Sequence, residues 1–109
     1  MPYDSLKIAG AIQKAVEAAQ VHVNDDDGGT CNFDAAYLRV PRMTEQQAKE
    51  IERLSGTNVY IMQSEWFGRI LMITGGLSGQ GMRRTRMAET MTKSLQESGL
   101  EANTWFQMD

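Results

Sequence analysis

Between Thr74 and Arg86 the chain reads TGGLSGQGMRRTR, which gathers four of its ten glycines together with three arginines. Glycine costs about 0.5–1 kcal/mol relative to alanine inside a helix or strand, so this density predicts a loop. The loop follows the apolar run Ile70-Leu71-Met72-Ile73 and precedes a stretch with helical spacing. The chain must therefore pass from strand to helix here, and its other elements have to be arranged around that junction.

Upstream, Ile8, Ile12, Ala15, Val16 and Ala19 recur at helical spacing and predict a helix over 5–23, capped by Asp4 or Ser5. The sequence NDDDGGT from Asn24 predicts a turn. Cys31–Val40 predicts a strand, with a bulge near Asp34 and Ala35 bringing Cys31 and Phe33 onto the side of Leu38. Thr44–Ser55 predicts a helix with a Thr44/Gln47 capping box and a Gly56 stop. Val59–Met62 and Trp66–Thr74 predict strands joined through Gln63-Ser64-Glu65, the second lying centrally because its apolar run suits two covered faces. Met82–Ser98 predicts a helix striped by Met87, Met91 and Leu95 and ended by Gly99, and Glu101–Met108 predicts a last strand.

This order, α then β-α-β-β-α-β, predicts an α+β fold: a ferredoxin-like antiparallel sheet of order 4-1-3-2 with an extra N-terminal helix. Another four-stranded α+β arrangement is the alternative. The 109 residues fit a single domain, 1–109, with the N-terminal helix over 1–24 and the ferredoxin-like core over 30–108. The expected core is Leu38, Ile51, Leu54, Ile61, Leu71, Ile73, Met87, Met91, Leu95 and Phe106. The N-terminal helix is expected either to cover the open sheet face or to extend the helical layer. Tyr37, Tyr60, Trp66 and Trp105 are expected beneath that helix or in a dimer interface.

Composition narrows the function classes. A net charge of −3, and no RNP1 pattern of aromatics and glycine, argue against nucleic acid. One cysteine allows no internal disulfide, which fits a cytoplasmic setting. The opening MPYDSLKIAG lacks the pattern of a signal peptide, and no apolar run is long enough to span a membrane. The Asp25–Asp27 run lacks EF-hand spacing, and the lone His22, expected to face solvent at a helix end, builds no metal site or triad alone. No cofactor or metal is therefore expected. Cys31 has no evident base, and Asp34, Glu65 and Glu89 have no evident carboxylate partner, so no catalytic residue is assigned.

The expected topology brings one constellation together. Asp25, Asp26 and Asp27, the loop with Gly79, Gly81, Arg83, Arg84 and Arg86, and the tail Gln107-Met108-Asp109 all fall at one end of the sheet. Arginines in a helix's first turn oppose its macrodipole by roughly 0.3–1 kcal/mol each. Either the acidic groups compensate them internally, or they hold an anionic ligand such as a nucleotide or phosphate with the loop N–H groups. The loop is neither a Walker A motif nor a dinucleotide fingerprint.

In size and style, and in the strings DGGTCNFD and WFQMD, the chain resembles the short acidic accessory proteins of phages and mobile elements. That resemblance implies stoichiometric binding to a host protein or signal ligand, sometimes against bacterial immunity. The expectation is a non-catalytic binding protein, a phage-type inhibitor of a host or defence protein. The alternative is a binder of, or enzyme on, a nucleotide or other phosphorylated ligand through the glycine–arginine loop. A homodimer through the sheet face or an edge strand is the third expectation.

Overall fold

The computed structural model describes residues 3–26, 28, 33–79 and 81–106. Its elements are α1 (Ser5–Ala19), a 3-10 turn (Gln20–His22), β1 (Ala35–Arg39), α2 (Glu45–Ser55), β2 (Val59–Ser64), β3 (Gly68–Ile73), α3 (Gly81–Glu97) and β4 (Ala102–Trp105). The fold is mixed α+β with one four-stranded sheet of order β2-β3-β1-β4, and every neighbouring pair is antiparallel. β1 and β3 are the two central strands, in register Ala36 to Ile73 through Arg39 to Ile70.

Local chemistry fixes the helix ends. Asp4 accepts the Lys7 N–H at the start of α1. Thr44 and Gln47 exchange the two bonds of a capping box at the start of α2, and Gly56 closes that helix at φ 67°. After α3, Gly99 turns left-handed at φ 84° and Leu100 N–H reaches the Leu95 carbonyl, a Schellman stop.

One sheet face carries Ala36, Leu38, Leu71 and Ile73 against all three helices, with Ile12, Ile51, Met87, Met91 and Leu95 filling the layer. The N-terminal helix packs on α2 and α3 and so extends the helical layer. Its alanines Ala9, Ala11, Ala15 and Ala19 are buried, which lets it sit close to both neighbours. Gln13 donates to the Leu54 carbonyl at the end of α2, and Gln20 donates to the Gly76 carbonyl in the loop after β3.

The opposite face carries a second cluster, Ala35, Tyr37, Ile70 and Met72, flanked by Met62, Leu77 and Trp105. No helical residue belongs to it among the described residues. Tyr37, Phe67 and Trp105 form a ring triangle with centroids 5.3 to 6.2 Å apart. This corrects the expectation that the aromatics pack beneath the N-terminal helix.

Several boundaries also differ. The first helix ends at Ala19 and continues as the 3-10 turn. The first strand begins at Ala35, so Phe33 precedes it and is exposed, while Cys31 lies outside the described residues. Ser64 belongs to β2, and the turn is Glu65–Phe67, with the Ser64 hydroxyl accepting the N–H groups of Trp66 and Phe67. Phe106, expected in the core, lies past the end of β4 and is 64% exposed. Leu54 and Ile61 are half-buried at the layer's margin.

Two glycines in this frame should respond oppositely to alanine. Gly76 has φ 79°, and a Cβ there would come within 2.8 Å of Val16. Gly76→Ala should therefore destabilise the fold by about 1–3 kcal/mol. Gly10 lies inside α1 with nothing within 4 Å of a built Cβ. Gly10→Ala should stabilise by about 0.5–1 kcal/mol. Urea denaturation of both variants checks the pair.

Candidate functional site

The glycine–arginine loop and the segment between α1 and β1 do meet, and side chains from the start of α3 tie them together. Gly79 and Gly81 take positive φ of 75° and 59°, which carries the chain into α3. The Met82 N–H, one of the donors a helix leaves unsatisfied at its start, bonds the Gly28 carbonyl at 2.9 Å.

Each of the three arginines reaches back to an acceptor. Arg83 donates to the Val23 carbonyl at 3.0 Å and Arg84 to the Asp34 carbonyl at 2.7 Å. Arg86 pairs with the Asp25 carboxylate at 3.1 Å. Partial burial pushes the Arg84 guanidinium below its ordinary value, and the nearby Asp34 charge opposes that shift. These acceptors offset the conflict between cations and the positive end of the helix.

Asp25 is the electrostatic centre of the cluster. Its Oδ2 takes the His22 Nδ1 at 2.8 Å as well as Arg86. The hydrogen bond from His22 holds the Asp25 carboxyl below its ordinary range; burial opposes this, and Arg86 adds to it. His22 is thus engaged with Asp25, where the sequence suggested a solvent-facing ring. Asp26 accepts the Gly28 N–H at 3.2 Å and so braces the turn. Asp27 and the tail 107–109 lie outside the described residues.

Asp34, which in sequence is a carboxylate with no evident carboxylate partner, has a role that the sequence did not show. It stands just before β1, is 1% exposed, and accepts the Thr85 hydroxyl at 2.7 Å. Its carbonyl and carboxylate thus receive two consecutive residues of α3, Arg84 and Thr85. Nothing local in the sequence joins positions 34 and 85; only the topology does. Among the described residues no three His, Cys, Asp or Glu side chains gather as a metal site would require. No helix is long and apolar enough to cross a membrane among those residues.

A groove of about 550 Å³ lies elsewhere, lined by Ser5, Thr44, Gln47, Lys49, Glu50 and Arg53. One of its two cations is already engaged: Arg53 grips the Glu50 carboxylate in a fork, at 2.8 and 2.7 Å. The groove therefore offers a ligand less charge than its composition suggests.

Comparison with protein-family models, curated proteins and solved structures finds no match.

Two measurements test the clasp. Thr85→Val should cost about 1–3 kcal/mol by leaving a buried carboxylate short of a donor, while Thr85→Ser should recover most of that loss. Asp25 should also make stability pH-dependent. Its folded pKa is depressed, so its contribution is present above about pH 4, the unfolded value, and is lost as pH falls through the lower folded value. An NMR titration of the Asp25 carboxyl should show its midpoint rise in His22→Ala.

Proposed function

We propose that this chain is a non-catalytic binding protein whose working surface is the helix-free face and adjoining hairpin of a ferredoxin-like sheet. The strand order β2-β3-β1-β4 with antiparallel neighbours supports the ferredoxin-like assignment. The observation that carries the binding reading is the placement of aromatics. Trp66 is 83% exposed at the hairpin tip, Phe67 beside it is partly exposed, and Phe67 packs on Tyr37 and Trp105. Tyr60 on β2 is exposed as well. Aromatic side chains grouped on a rigid surface, with large contact area and little entropy to lose, are favoured anchors for a protein partner. An inhibitor of a host or defence protein would act in this stoichiometric way.

The rival reading, an anionic ligand held by Gly79, Gly81, Arg83, Arg84 and Arg86, leaves it only the guanidinium donors that do not already serve Val23, Asp34 and Asp25. The intrachain bonds favour the sheet face. Affinity capture from a lysate of the encoding organism separates the two. Trp66→Ala should leave the thermal midpoint nearly unchanged and weaken capture about tenfold or more, while the triple Arg83/Arg84/Arg86→Ala variant should retain the partner if it stays folded. Loss of the partner only in the folded triple variant would move the site to the loop.

A further inference from the structure

We infer that β2 is a pairing edge for a second copy of this chain, joining two sheets across a two-fold axis centred on Ile61. The inference rests on backbone geometry, and it touches the aromatic face at Tyr60, on that face's margin. β2 is an edge strand, bonded only to β3 among the described residues. In an antiparallel ladder alternate residues bond inward, and those between them point outward. Thr74 N–H bonds the Asn58 carbonyl, and β2 pairs with β3 in one uninterrupted register, Val59 to Ile73 through Ser64 to Gly68. Tyr60, Met62 and Ser64 therefore bond to β3, and Val59, Ile61 and Gln63 present their N–H and carbonyl groups outward. The other side of β3 agrees, since the Arg69 carbonyl receives Val40 of β1.

Sheets ordinarily protect such an edge with lysine, proline, a bulge or an inward charge. Val59-Tyr60-Ile61-Met62-Gln63-Ser64 has no charge and no proline, and its pairing shows no bulge. Among the described residues the Val59 N–H is protected, since it donates to Glu52 Oε2 from α2 at 3.2 Å.

An antiparallel edge can pair with itself about a two-fold axis. The outward residues must face each other, which also keeps the helices of both copies on the same side of the joined sheet. Every register that sets odd-numbered residues opposite one another does this, and the one centred on Ile61 pairs the most of them: Ile61 faces Ile61, Val59 faces Gln63, and Tyr60 faces Met62. This arrangement forms about six backbone hydrogen bonds. It places no like charges opposite one another along the strand, although each copy carries −3. Pairing takes the Val59 N–H from Glu52, and Gln63 of the second copy, on the helical side of the sheet, brings a carboxamide donor to that carboxylate. Across the other face, Tyr60 of one copy packs on Met62 of the second.

Light scattering over a concentration series reads the association. The wild type should approach twice its 12.2 kDa mass. Gln63→Pro removes only an outward N–H, the setting in which an edge strand tolerates proline. It should weaken dimerisation about tenfold or more with the circular dichroism unchanged. Should that variant unfold, cysteine cross-linking in a Cys31→Ser background supplies the second readout. Hydrogen-bonded opposite residues have Cα atoms about 5.5 Å apart, inside disulfide range. Ile61→Cys should therefore cross-link with itself, and Tyr60→Cys should not. A 12.2 kDa mass at every concentration overturns the inference. So does a dimer that is indifferent to a folded Gln63→Pro, or one that cross-links at Tyr60 and not at Ile61.

Discussion

The antiparallel pairing of β1 with β3 is the contact on which the rest of the molecule depends. Among the described residues these two strands alone are buried on both faces: Leu38, Leu71 and Ile73 meet the helices, while Tyr37, Ile70 and Met72 form the opposite cluster. Every other element attaches to this pair or to something that does. β2 and β4 extend it on either side, α2 and α3 cover one face, and α1 packs on those two helices. Burying an aliphatic side chain contributes about 1.5–3 kcal/mol, and this pair concentrates that burial in a short length of chain. A near-continuous apolar strand follows from the double burial.

The polar clasp at one end of the sheet has a different job. It joins the segment between α1 and β1 to the first two turns of α3 through carbonyls, one buried carboxylate and one paired carboxylate. The arginines look like a ligand site in sequence because helix starts ordinarily repel cations. In the folded chain their acceptors are supplied from within. Asp34 and Thr85 add a partly buried bond between α3 and the residue just before β1. With the helices gathered on one face, the aromatic face carries no helix among the described residues, and β2 is left as an edge.

Signals that act locally were legible in the sequence. The Thr44/Gln47 box and the Gly56 and Gly99 stops were readable because side chain and backbone meet within one turn. The central strand was readable from Ile70–Ile73 because double burial removes the alternation. Strand ends were not, since pairing sets them: β1 begins at Ala35, where Trp105 stands opposite. Phe106 has the parity of Thr104 but lies past the ladder, and so it is exposed. The meeting of Asp25 with Arg86 followed from topology across 61 positions. The bond between Asp34 and Thr85 did not, because a threonine in a helix carries no mark of a partner 51 residues away. The side on which α1 packs was equally hidden, since its alanine stripe fits a helix as well as a sheet.

Native-state hydrogen exchange tests the central claim most directly. The amides bonding β1 to β3, among them Ala36, Leu38, Val40, Leu71 and Ile73, should exchange only through global unfolding, with protection matching the free energy from denaturation. The helices and outer strands should open at lower energy. Exchange of the β1 and β3 amides by local opening, while α1 keeps the highest protection, would contradict the account and make the helical layer the foundation of the fold.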